Sequence, residues 1–273
     1  MHNDLFFDSF WPNPYLAEFL RKAARRGSFN LNPCMEFSPA EIEQASFLRL
    51  RPRKAVEDSN ADYERMRSDI DALPWIGNDP KRRFRLPERI SLSNIRLKPN
   101  QAAVVGQWTA EYVVPGVFRR VFENAQLSGI EFRPICNTRT GAQFDDYFHL
   151  FSDHTLGFRE LDVASPELRS PRPEEQGFDI MGCCCYDTST LEKALDFNRT
   201  GECSVSFEFP DWIVSSSVRE VFEEHTLKGW AFEPVLEPGT PPYEGYNELW
   251  SSLRQLLAEC KKHTVRGRFF GAA

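Results

Sequence analysis

Apolar positions at helical spacing open the chain. Leu16, Phe19, Leu20 and Ala23 follow Asn13-Pro14, a cap with proline in the first turn, and Gly27 suits the stop, so this segment predicts a helix. Arg21, Lys22, Arg25 and Arg26 line its C-terminal end, where the helix dipole favours cations. Ser38-Pro39-Ala40-Glu41 has capping-box spacing and predicts a second helix. A third is expected from about Ala61 to Leu73, closed by Pro74. Phe84 to Val105 reads as short strands with turns. Tyr243 to His263 predicts a terminal helix with Leu249, Leu253, Leu256, Leu257 and Cys260 on one side.

The strongest pattern is an internal repeat. Residues 112–135 (YVVPGVFRRVFENAQLSGIEFRPI) and 212–235 (WIVSSSVREVFEEHTLKGWAFEPV) align without a gap at an offset of 100, with nine of 24 positions identical. The identical pairs include Arg119/Arg219, Phe122/Phe222, Glu123/Glu223, Leu127/Leu227, Gly129/Gly229 and Phe132/Phe232. An aromatic followed by two β-branched residues predicts a short buried strand. Ser215 is placed to cap the next helix, with Pro115 at the corresponding position. Val117, Phe118, Val121 and Phe122 form an apolar helical face, mirrored by Val218, Val221 and Phe222. Gly129 and Gly229 suit left-handed turns that stop the helical region. Each unit therefore reads strand–helix–strand, with a crossover long enough for a parallel connection, although an antiparallel neighbour is compatible. The identical positions are structural and form no catalytic set.

This motif, an apolar residue and Val, then Arg, Phe-Glu, Leu, Gly and Phe-x-Pro, resembles that of bacterial immunity proteins from polymorphic-toxin, contact-dependent and type VI secretion systems. One branch carries two copies and two CxxCG motifs. The chain resembles that branch in its twofold arrangement but holds no CxxC, so no zinc site is implied. The resemblance implies a protein that binds one toxin and blocks it without chemistry of its own, in bacterial competition.

Composition agrees with a folded protein. Of 273 residues, 41% are hydrophobic, and 23 Phe, 6 Trp and 7 Tyr supply a large core. The length permits one large domain or two ordinary ones. No run of apolar residues is long enough to span a membrane, and the first residues do not resemble a secretory signal, so a cytoplasmic location is expected. Seven cysteines, three of them adjacent at Cys183–Cys185, do not make a disulfide scaffold.

The net charge is −7 and is uneven: residues 1–100 carry +3 and residues 101–273 carry −10. The acidic stretch 144–180 also contains Ser165-Pro166 and Ser170-Pro171-Arg172-Pro173, and reads as a loop between two halves. It is either a solvated linker or an acidic docking surface for a basic partner. The basic run Lys81-Arg82-Arg83-Phe84-Arg85 reads as an exposed turn, and without an aromatic platform it does not point to direct nucleic-acid binding.

Enzyme chemistry has weaker support. Cys184, His149 and Asp153 could be assembled into a Cys–His–Asp set, with His154 as another candidate base, but no nucleophile elbow marks them. Cys183–Cys185 looks like the middle of a strand, with Cys183 and Cys185 on one face and Cys184 on the other. Buried packing is the leading reading, with metal binding and catalysis as alternatives. Asp145-Asp146 are adjacent and should point apart in a strand.

The sequence thus predicts an α+β protein with two strand–helix–strand units on mixed sheets, a helical N-terminal segment and a C-terminal helix. Two parts are expected, 1–165 and 166–273, each holding one unit. The expected function is a non-enzymatic immunity protein that occludes a cognate toxin, with a basic nuclease domain as the favoured partner. A small-molecule Cys/His enzyme or a non-catalytic adaptor is the alternative. No cofactor or metal, no direct nucleic-acid contact and no membrane contact are expected. The candidate partner-binding residues are Asp145, Asp146, Asp153, Glu160 and Asp162, with Glu220, Glu223 and Glu224 on the second helix.

Overall fold

The computed structural model describes residues 5–11, 29–35, 37–56, 90–105, 111–157, 184–201, 203–204, 207–208, 211–248, 251 and 255. In chain order the elements are β1 (Leu5–Trp11), β2 (Phe29–Met35), α1 (Pro39–Gln44), β3 (Phe47–Pro52), β4 (Ala55–Val56), β5 (Ser91–Leu92), β6 (Ala103–Val105), β7 (Tyr112–Pro115), α2 (Gly116–Asn124), β8 (Glu131–Asn137), β9 (Gln143–Phe151), α3 (Thr188–Leu191), β10 (Phe197–Arg199), β11 (Cys203–Ser204), β12 (Phe207–Glu208), β13 (Trp212–Ser215), α4 (Ser216–Glu224) and β14 (Trp230–Pro234). Residues 241–248 are also helical, opening on Pro241-Pro242 at the start of the expected terminal helix. The protein is α+β.

Both repeat units fold as strand–helix–strand. Their two strands do not pair with each other. In the first unit β9 lies between β7 and β8 and runs antiparallel to both, so the flanking strands are parallel to one another. In the second, β3 takes that place between β13 and β14. The resulting orders are β4-β6-β7-β9-β8-β5 and β10-β13-β3-β14.

The two central strands are themselves related by 100 residues, and they are exchanged. Val113 faces His149 and Arg133 faces His149 in one sheet, while Ile213 faces Arg49 and Glu233 faces Arg49 in the other. The arrangement continues outward, although the flanking residues are no longer offset by 100. Val104 N–H donates to the Lys54 carbonyl (2.9 Å) and Arg199 N–H to the His154 carbonyl (2.8 Å). Cys136 N–H donates to the Ile90 carbonyl (3.1 Å) and Leu236 N–H to the Cys184 carbonyl (2.8 Å). The repeat therefore covers a first half, 47–136, and a second half, 147–236, each lending its central strand to the other. Strand β3 precedes the expected boundary after residue 165 yet completes a sheet whose other strands follow it, so that boundary does not separate two independent cores.

One apolar cluster joins the halves. It contains Leu48 and Leu50 of β3, Leu150 of β9, Tyr112, Phe118 and Phe122 of the first unit, and Trp212, Val218, Phe222 and Trp230 of the second. Trp230 sits at its centre, stacked on Phe222 with ring centroids 5.2 Å apart and edge-on to Tyr112 at 5.5 Å and Phe118 at 5.6 Å. Phe118 and Phe122, four residues apart, are the fully buried face of α2. The outer face of the first sheet is covered by Ile90, Leu92 and Ile95, and that of the second by Cys184, Tyr186 and Leu191.

Several local expectations find their outcome here. The Ser38 capping box forms in full, with Ser38 Oγ accepting from Glu41 N–H and the Glu41 carboxylate accepting from Ser38 N–H at 2.7 Å. Ser215 occupies the N-cap of α4, but its hydroxyl makes no cap bond and donates instead to Asp196 Oδ1 at 2.6 Å. Ser128 N–H and Oγ donate to the other oxygen of Asp196 at 2.8 and 2.7 Å, so this carboxylate ties the first unit's turn to the second unit's helix.

The helices α2 and α4 are not stopped by glycine. Gln126 and Thr226 take the left-handed conformation at φ 56° and 50°. Gly129 and Gly229, three residues later, are left-handed as expected, at φ 75° and 105°, and also serve a close approach. A Cβ on Gly129 would collide with the Phe197 carbonyl, and one on Gly229 with the Ala102 backbone. These contacts cross between halves. Phe197 N–H donates to the Ser128 carbonyl (3.1 Å) and Ala102 N–H to the Lys228 carbonyl (2.8 Å).

At the N-terminus, β1 and β2 pair in parallel, and the helix expected between them lies outside the described residues. The stretch 144–180, expected as a loop, begins as strand: residues 144–151 belong to β9, between β7 and β8, because they complete the first sheet. Its residues 158–180, the helix expected over 61–73, the basic run at 81–85, Cys183 and most of the expected terminal helix lie outside the described residues.

Candidate functional site

The candidate acidic residues do not form one patch. Asp145 and Asp146 lie near the start of β9, where the register with β8 shifts between Pro134 and Cys136. This irregularity breaks the alternation that should point them apart, and both are exposed. The Asp146 carboxylate lies against Gly116 at the start of α2, where negative charge complements the helix dipole. Asp153 is exposed beyond the other end of β9, about 20 Å along the strand at 3.3 Å per residue. Glu160 and Asp162 lie outside the described residues. Glu220, Glu223 and Glu224 are exposed on α4. Glu223 pairs with Arg219 at 3.0 Å and Glu220 approaches it at 3.9 Å.

A second group of charges is buried. Glu111 lies one residue before β7, and His149 lies on β9 facing away from the common core; their side chains are 5% and 1% exposed. A carboxylate can only accept, so His149 Nε2–H donates to Glu111 Oε2. Arg199 Nη2 approaches Glu111 Oε1 at 3.3 Å from β10 of the second half. The Arg133 guanidinium lies 3.2 Å from the Phe151 ring centroid and pairs with Glu131 at 2.9 Å. Burial alone would raise the Glu111 pKa. The hydrogen bond and charge of His149, then the charges of Arg199 and Arg133, outweigh it and hold the carboxyl below its ordinary value.

The repeat explains this cluster. Asp211 occupies the position of Glu111, Arg49 that of His149, and Glu233 that of Arg133. Arg49 pairs with Asp211 at 2.9 Å and approaches Glu233 at 3.8 Å. Each sheet thus binds an acid just before its unit to a basic side chain on the exchanged strand. The Glu111–His149 pair is buried and forms this clasp. Sequence reasoning noted His149 for its chemistry and missed Glu111, although acids stand at both 111 and 211, one residue before each repeat.

The thiols are packed. Cys184 is buried with Tyr186, Leu191, Ile213 and Val235, and Cys185 with Leu236 and Tyr246. Their different clusters agree with opposite faces, but among the described residues only a single bridge, Cys185 to Leu236, stands where a strand was expected. Among the described residues no three His, Cys, Asp or Glu side chains gather as a metal site, and no helix is long and apolar enough to cross a membrane.

A groove of about 390 Å³ lies beside α2, lined by Arg119, Phe122, Glu123, Leu127, Ile130, Glu131 and Phe132. Five of these are identical at the offset of 100. In the second half the equivalents Arg219, Leu227 and Trp230 are buried, whereas Arg119 is exposed and Leu127 and Ile130 are half-buried. Arg119 pairs with Glu123 at 2.8 Å on the rim. The chain matches no protein-family model and no curated protein.

Proposed function

We propose that the chain is an immunity protein: it binds one secreted antibacterial toxin and blocks it by covering its active or substrate-binding surface, without chemistry of its own. The observation that carries this reading is the asymmetry of the paired units. The motif that resembles immunity proteins folds twice around one core, closed in the second half and open as a groove in the first, and an unfilled copy of an otherwise packed motif is suited to a partner's side chains. Exposed carboxylates at Asp145, Asp146 and Asp153 and at Glu220, Glu223 and Glu224 favour a basic partner such as a nuclease domain, with cytoplasmic encounter steered by charge.

The charge contribution is tested on the partner co-purified from native cells. The triple variant Asp145→Lys, Asp146→Lys and Asp153→Lys should bind it at least ~10-fold more weakly, mainly through slower association, with a flatter salt dependence. Unchanged affinity and salt dependence in a folded variant would remove the acidic surface from the account.

A further inference from the structure

The two halves differ in what covers the flank of the last strand. In the second half, α1 packs against β14, and its Ile42 and the following Ala45 lie on the shared core. This helix runs directly into the exchanged strand β3: Ser46 accepts from Ser216 N–H at 2.9 Å, and Phe47 accepts from Val235 N–H at 2.9 Å. In the first half the corresponding strand, β9, arrives from a tight turn instead. Gly141 N–H donates to the Asn137 carbonyl at 2.8 Å, and the Asn137 side chain accepts from Arg139 N–H at 2.9 Å. The turn leaves no residues for a helix at that place. Among the described residues the first half therefore has the same strand and helix without the covering segment, and the groove is lined by that helix and by Glu131 and Phe132 of that strand.

The geometry points to a specific occupant: a short amphipathic helix of a protein partner, seated in the Leu127–Ile130–Phe132 groove of the first half as α1 is seated on the second. Resting on the reading of the chain as a toxin-binding protein, this names the segment the toxin would present. Such a helix needs an aliphatic anchor in its second turn, as Ile42 is in α1, with a small residue just past its end, as Ala45 is, to meet Leu127, Ile130 and Phe132. Its polar sides would meet Arg119 and Glu123 on one rim and Glu131 on the other. Their side chains are 46, 52 and 54% exposed and able to turn toward an arriving charge.

The test uses the full chain and two probes. The first is a lactam-stapled peptide copying residues 37–46, held helical because so short a segment is not stable alone. Saturable NMR shifts at the Leu127 and Ile130 methyl groups are expected, at a weak affinity of about 0.1–1 mM. Leu127→Glu should abolish the shifts at Ile130. Ile130→Lys should abolish those at Leu127, with spectra elsewhere unchanged. The second probe is the partner recovered with the wild-type chain, whose affinity both variants should lower at least ~10-fold. No saturable shift with the peptide overturns the helical occupant. A recovered partner that binds both variants as tightly as wild type overturns the groove as its docking site and leaves the immunity reading standing. Failure to recover any partner sinks the immunity reading, and the peptide alone then decides the groove.

Discussion

Glu111→Gln is expected to destabilise the folded protein by about 3–5 kcal/mol, because it leaves Arg199 and His149 buried beside a neutral group. His149 Nδ1 and Arg199 Nε already have no hydrogen-bond partner among the described residues, so little is at hand to replace the lost carboxylate. Adding Arg199→Met should restore part of the loss, since an apolar side chain of similar length carries no charge to bury. The dependence on pH follows from the depressed pKa of Glu111. Its contribution is complete above the ordinary carboxylate range and disappears as pH falls through the folded-state value. Urea unfolding of wild type should therefore show stability falling with acid, and the variant should show a shallower fall. Equal stability of wild type and Glu111→Gln at pH 7 would mean that the clasp contributes nothing.

Gly229→Ala should cost about 3 kcal/mol or more, combining a backbone conformation unfavourable to side chains with a collision between halves. Gly229 has φ +105°, and its added Cβ would strike the Ala102 carbonyl, which is held in place by the hydrogen bond from Ala102 N–H to Lys228. Gly141 is the control. It has φ +69° with open space around it, so Gly141→Ala should cost only about 1 kcal/mol. Denaturant midpoints of the two variants compare the terms directly. If the two cost the same, the crossed contact between Gly229 and Ala102 is not tight.

The repeated units were legible because their helices and turns depend on particular side chains. Phe122 and Phe222 must fill one core, Gly129 and Gly229 must admit another backbone, and identity persists at those places. The exchanged strands were not legible. Only Leu50 and Leu150 are identical between 47–52 and 147–152. A central strand is held largely by its backbone ladder, and alternate positions need only be apolar, so Leu48 and Phe148 serve equally. The exchange itself leaves no local signal, since either strand could fill either gap. Ser215 stands at the N-cap as expected, but its hydroxyl finds a stronger acceptor in Asp196 from a distant loop, a partner that local capping rules do not include. The acidic residues were identified as exposed, but their separation along β9 and the groove beside α2 appear only once β9 is placed.

The most direct measurement is to co-purify the tagged full chain from its native cells at moderate salt, identify what comes with it, and titrate that partner's toxic activity with the chain. The account predicts one stoichiometric partner carrying a toxin domain, with activity lost at an equimolar ratio. A well-folded chain that recovers no such partner, or a partner that keeps its activity when saturated with the chain, would contradict it.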